Sequence, residues 1–150
     1  MWHGWRMICL VLALVEAGCS SHPATIGLQG EVSYEGRTVK EGQIEFEPTD
    51  GTKGATSAAN IVNGRYETSS QWGILPNGVY LVRIVGYRKT GKTERVRGMS
   101  GDPPVENAVK ENFIPAIHNS LSTLKVRIAD LPDKNRVDFR LGKTPNAASD

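Results

Sequence analysis

Between residues 26 and 141 short runs of alternating apolar and polar side chains are separated by turns. Ile26, Leu28, Val32 and Tyr34 share one parity with Gly30, while Gln29, Glu31 and Ser33 hold the other. A period of two describes a strand with one face in a core. Glu35-Gly36-Arg37 reads as a turn, and Gln43-Ile44-Glu45-Phe46-Glu47 alternates strictly until Pro48. A loop is expected over 49–55. Residues 58–62 and 65–68 flank Asn63-Gly64, which tolerates positive φ at both positions and favours a type I′ hairpin. Residues 79–87 are apolar on both parities except at Arg83, which predicts a central strand covered on both faces. Leu124, Val126 and Ile128 alternate with charged residues, as do Val137, Phe139 and Leu141, and a turn at Pro132-Asp133 joins the two runs. About seven short strands follow, which predicts an all-β chain folded as a single β-sandwich.

Residues 88–123 break this pattern. They show no clear strand alternation, and a loop of that length is uncommon and often functional. Residues 105–113 offer the best helix candidate, because Val105, Val109 and Phe113 are spaced four apart. The segment 113–115 is apolar and is expected to dock on the sandwich, with Asn119, Ser120, Ser122 and Thr123 capping backbone groups where the chain rejoins the sheet. The alternative is a binding loop, marked by an exposed patch of Phe113, Ile114 and Ile117 beside His118 and Asn119. Asn63-Gly64-Arg65-Tyr66 is echoed by Asn77-Gly78-Val79-Tyr80. Two tyrosines that cover the ends of one core, hydroxyls in water, explain the echo better than a paired aromatic site.

The first residues differ in kind. Arg6 precedes an uncharged apolar run over 7–15. Nine helical residues span only ~14 Å, well short of a ~30 Å bilayer core. A positive start, a short apolar run and small residues after it describe an export signal rather than a spanning helix. Ala17-Gly18-Cys19 also resembles the bacterial lipobox, with Glu16 where Leu is usual. That resemblance implies a lipid on the Cys19 thiol and a cut before it. Ordinary cleavage nearby and an uncleaved anchor are the alternatives; a lone Cys at this spot favours lipidation. Several acyl chains, at ~0.8 kcal/mol per buried CH₂, would hold the protein on a membrane.

With 150 residues the chain suits one domain and excludes a TIM barrel. Its other Cys, Cys9, lies in the apolar run, so the domain has no thiol for a disulfide, a zinc site or catalysis. Loss of 1–18 removes Arg6 and Glu16 and leaves 17 basic and 15 acidic residues, the same net +2 as the full chain with 18 and 16. The one basic block, 88–97, reads as a solvated hairpin tip, and no nucleic-acid partner is expected. Only His22 and His118 remain outside the signal, without metal-ligand spacing, and Asp50, Asp102 and Glu106 lack the spacing of a calcium loop. No metal or cofactor is expected. An envelope hydrolase with a site near His118 and Ser120, and Asp102 upstream, is the enzymatic alternative; it requires those side chains to converge.

Three stretches carry a wider resemblance: Gly30-Glu31-Val32 with residues 42–48, Asn63-Gly64-Arg65-Tyr66 with residues 78–82, and Ile114-Pro115 with His118-Asn119 and Ser122-Thr123-Leu124. Together they resemble small exported lipoproteins of planctomycete-type bacteria, whose domain is similar to the transthyretin-like regulatory domain of carboxypeptidases. Ile117-His118 stands where those relatives carry Lys-Tyr before Asn. The resemblance implies an immunoglobulin-like or transthyretin-like sandwich without active-site residues. The chain then divides into a signal over 1–18, a lipidated Cys19 and tether over 19–25, a sandwich over 26–141 and a disordered tail over 142–150. The expected role is a non-catalytic binding or structural module on the cell-envelope membrane, with an envelope protein or a glycan as partner.

Overall fold

A computed structural model describes residues 24–71, 73–97, 103–128 and 135–143. The signal segment, Cys19, most of the tether, Asp102, the Pro132-Asp133 turn and residues 144–150 lie outside the described residues. The described chain is all-β. Its strands are β1 (Gln29–Tyr34), β2 (Arg37–Thr38), β3 (Glu41–Thr49), β4 (Ser57–Val62), β5 (Arg65–Glu67), β6 (Val79–Val96), β7 (Val105–Asn112), β8 (Lys125–Arg127) and β9 (Phe139–Leu141). A single 3₁₀ turn covers Ala116–His118. The strands form one largely antiparallel sheet in the order β2-β1-β5-β4-β3-β6-β7, with β8 on β6 and β9 parallel to β1. It curves into an open half-barrel.

The alternation in the sequence sets the register. Ile44 and Phe46 of β3, Ala59 and Ile61 of β4, and Tyr80, Val82 and Ile84 of β6 all point into one core. Leu28, just before β1, Val32 of β1 and Phe139 and Leu141 of β9 meet them. Asn63 (φ 50°) and Gly64 (φ 81°) both take the left-handed conformation a type I′ turn needs. Gly30 admits a close approach of the chain before β9, since a Cβ there would lie 1.9 Å from the Val137 carbonyl oxygen.

Three expectations change. β6 is central in pairing but buried on one face only: Leu81, Arg83 and Val85 are half-exposed. The reason is a charged row on that face, where Arg83 lies between Glu45 and Glu47 of β3. Residues 105–112 form a strand, not a helix. A spacing of four fits a period of two as well as one of 3.6, so Val105, Val109 and Phe113 could not discriminate. The 88–123 loop is mostly an antiparallel hairpin of β6 and β7. Almost every residue of it beyond Gly86 is exposed, so its sequence carries no apolar period.

The two echoed tyrosines differ from expectation as well. Both rings are buried, and their hydroxyls are bonded inside rather than wet. The Tyr66 hydroxyl donates to the Val137 carbonyl at 2.7 Å, and the Tyr80 hydroxyl accepts the Leu75 N–H at 2.8 Å. Tyr80 thus ties the start of its strand to the chain five residues upstream, in the manner of a tyrosine corner. Tyr80→Phe should cost about 1–3 kcal/mol in urea unfolding, because it leaves that N–H without its acceptor. Burial, followed by the charge of Asp138 and opposed by Arg136, raises the Tyr66 pKa far above its ordinary value of 10.0. The folded state therefore keeps a proton that the unfolded chain releases. Stability is full below about pH 10 and falls as pH rises beyond it. Tyr66→Phe should flatten that alkaline slope in urea midpoints compared across pH.

The ends of the half-barrel are distinct. The chain comes in where Thr25 donates to the Ser70 carbonyl at 2.6 Å and Ile26 pairs with Ile74. Val79 starts β6 at that same end. The β6–β7 hairpin leaves from the other end, past Tyr87 and Asn112. At ~3.3 Å per residue, the 18 residues of β6 make a strand of about 60 Å, half of it an arm beyond the core.

Candidate functional site

The segment 113–124 joins β7 to β8 and carries most of the residues singled out in the sequence. Ile114 is a core residue, 3% exposed. Phe113 and Ile117 are half-buried, so the exposed patch of Phe113, Ile114 and Ile117 is not formed. The apolar side chain that stands out there is Leu121, 68% exposed. Phe113 packs edge-on against Tyr34 with ring centres 6.1 Å apart, and the Arg88 guanidinium sits over its ring at 5.9 Å.

The polar residues of this segment tie its backbone together. Asn119 Nδ2 donates to the carbonyls of Ile114 and Pro115, and its Oδ1 accepts the Ser120 N–H. Ser122 Oγ donates to the Val82 carbonyl and accepts the Leu124 N–H. Asn112 Oδ1 accepts from Gly86 and Ile114. Capping by Asn119 and Ser122 therefore matches expectation, and Asn112 adds a cap that went unread because it falls inside the helix candidate. Ser122→Ala should cost about 1 kcal/mol or more in urea unfolding, since two backbone groups lose one partner.

His118 is buried at 1% exposure. Its Nε2 lies 2.6 Å from the Gly142 carbonyl, and its ring meets Tyr34 edge-on at 6.4 Å. Ser120 is exposed, and no hydrogen bond joins it to His118 among the described residues. His118 links the 3₁₀ turn to the strand that ends the domain. Gly142, assigned to the tail, is thereby held to the body.

Chemistry outside this segment lies in grooves and on the arm. A groove of about 610 Å³ at the tether end is lined by Gln29, Glu67, Thr68, Ser69, Gln71 and Asn135 among others. A smaller one of about 320 Å³, lined by Tyr87 and Val62 among others, lies at the arm's root. Along the arm, Arg88 pairs with Glu111 at 2.7 Å and Arg95 with Glu106 at 3.4 Å, each directly across the strands. Near its end Val96 and Val105 face each other across the strands, 43% and 56% exposed. The sequence hinted at the arm through opposite charges on either side of the Gly98-Gly101 stretch, at equal distances for Arg88 and Glu111 but not for Arg95 and Glu106, because the register shifts between Lys89 and Thr93. Comparison with protein families, curated proteins and solved structures gave no match.

Proposed function

We propose that the protein is an envelope lipoprotein. Its Cys19 carries the lipid, and its domain is a non-catalytic, transthyretin-like sandwich that binds through the β6–β7 arm. One observation carries this: the described chain begins at one end of the half-barrel, at Thr25 and Ile26, and the arm leaves from the other. Six residues over 20–25 reach at most ~20 Å. A lipid on Cys19 would thus hold the groove end near the membrane and aim the arm away from it. The tyrosine corner at Tyr80 and the two-sided core between β1/β9 and β3/β6 support the sandwich. The burial of His118 on a backbone carbonyl, with no hydrogen bond to Ser120 among the described residues, favours binding over hydrolysis.

The arm is tested by a photo-cross-linking residue at Val96 and, as a control, at Lys53 near the opposite end, in cells that make the full chain. Val96 should yield a discrete adduct and Lys53 none. Equal labelling from both positions would rule out the arm as the binding element.

A further inference from the structure

β7 is an edge. Among the described residues it pairs only with β6, and seven of its eight residues are exposed. A row of unpaired N–H and C=O groups on such an edge is a template for another strand. Two observations fix which groups those are. The Phe113 N–H donates to the Gly86 carbonyl, and the Val109 carbonyl accepts the Thr90 hydroxyl. Odd-numbered residues of β7 therefore turn their backbone groups toward β6. Glu106, Ala108, Lys110 and Asn112 turn theirs outward.

We propose that this edge pairs, antiparallel, with the same edge of a second copy of the chain, with Ala108 facing Ala108 across a two-fold axis. The outward groups permit only registers that set an even residue against an even residue, so a slip by one is excluded. Centring on Ala108 sets Glu106 against the second copy's Lys110, and Lys110 against its Glu106. Within each copy Glu106 already pairs with Arg95 and Lys110 with Glu41, so each contact across the axis extends a row of alternating charge, and the smallest side chain of β7 sits on the axis. About six backbone hydrogen bonds would form. Moving the centre to Val109 puts Glu106 opposite Asn112 and Lys110 opposite Ala108, and both charge pairs are lost. The bare edge thus has one register that its own charges favour. The result is a four-stranded ribbon in which two arms lie side by side and point in opposite directions, so each arm points away from its own membrane when the two copies are tethered to facing membranes. This names the arm's partner and so rests on the arm as binding element; the lipid has no part in it.

Cysteine substitution in the full chain reads the register directly. Paired residues in this geometry have Cα atoms ~5.5 Å apart, within disulfide reach. Ala108→Cys should give a disulfide-linked dimer on mild oxidation as the major species on a non-reducing gel, at least tenfold above the wild-type background. Asn112→Cys should stay at background. Ala108→Pro removes an outward N–H that the monomer does not use, so it should keep the β circular-dichroism signal and abolish self-association. A dimer at Val109→Cys instead of Ala108→Cys would overturn the register. No cross-link at either position, or self-association unchanged by Ala108→Pro, would overturn the pairing. If the Val96 adduct then contains a different protein, self-pairing falls and the arm stands; if Val96 gives no adduct, both fall.

Discussion

Phe46→Ala should destabilise the domain by about 3–5 kcal/mol, enough to leave a typical small domain largely unfolded in mild denaturant. Phe46 is fully buried. Its ring centre lies 5.8 Å from that of Tyr66 and 6.1 Å from that of Phe139, and those two rings are themselves 6.1 Å apart. The three rings come from β3, β5 and β9, elements far apart in sequence. Their cluster holds the parallel strand β9 against the antiparallel body. Removing the Phe46 ring leaves a cavity bounded by two rigid neighbours that cannot collapse into it. Phe113→Ala, at a half-buried site flanked by Arg88, should cost clearly less. Urea unfolding of both variants checks the contrast, and equal losses would mean that the ring cluster does not hold the fold together.

Cys19→Ala should move the protein from the membrane fraction to the soluble fraction, or leave it as an unprocessed precursor. Acyl chains at ~0.8 kcal/mol per buried CH₂ give a membrane affinity that no exposed side chain of the domain can replace. No described helix is long and apolar enough to cross a membrane. Intact mass of the wild-type membrane form should show a chain that starts at residue 19 and carries the added lipid. A wild-type chain found in the membrane at the precursor mass, with no added lipid, would point to an uncleaved anchor over 7–15 instead.

The core was legible because each core strand has one wet face. The alternation of Gln43 to Glu47, of Lys125 to Arg127 and of Phe139 to Leu141 is repeated in their burial. Asn63-Gly64 announced its turn through the φ values it permits. The arm was not legible from hydrophobicity, because a hairpin with water on both faces has no reason to alternate. Its signal lay in cross-strand charge, Arg88 with Glu111 and Arg95 with Glu106, which becomes visible only once the register is known. Burial of both tyrosine hydroxyls was hidden for a similar reason: their partners, Leu75 and Val137, are backbone groups, and a backbone group carries no residue type. The placement of His118 depended on Gly142, 24 residues away and beyond the expected end of the domain.

The orientation on the membrane is the centre of this account, and energy transfer measures it most directly. A donor dye at Gln71, on the tether end, and the same dye at Val96, near the arm's end, would each be paired with an acceptor lipid in membranes bearing the lipidated chain. Transfer should be strong from position 71 and weak from position 96, which the ~60 Å length of β6 carries away from the bilayer. Equal transfer from both positions, or stronger transfer from position 96, would contradict an arm that points away from the membrane.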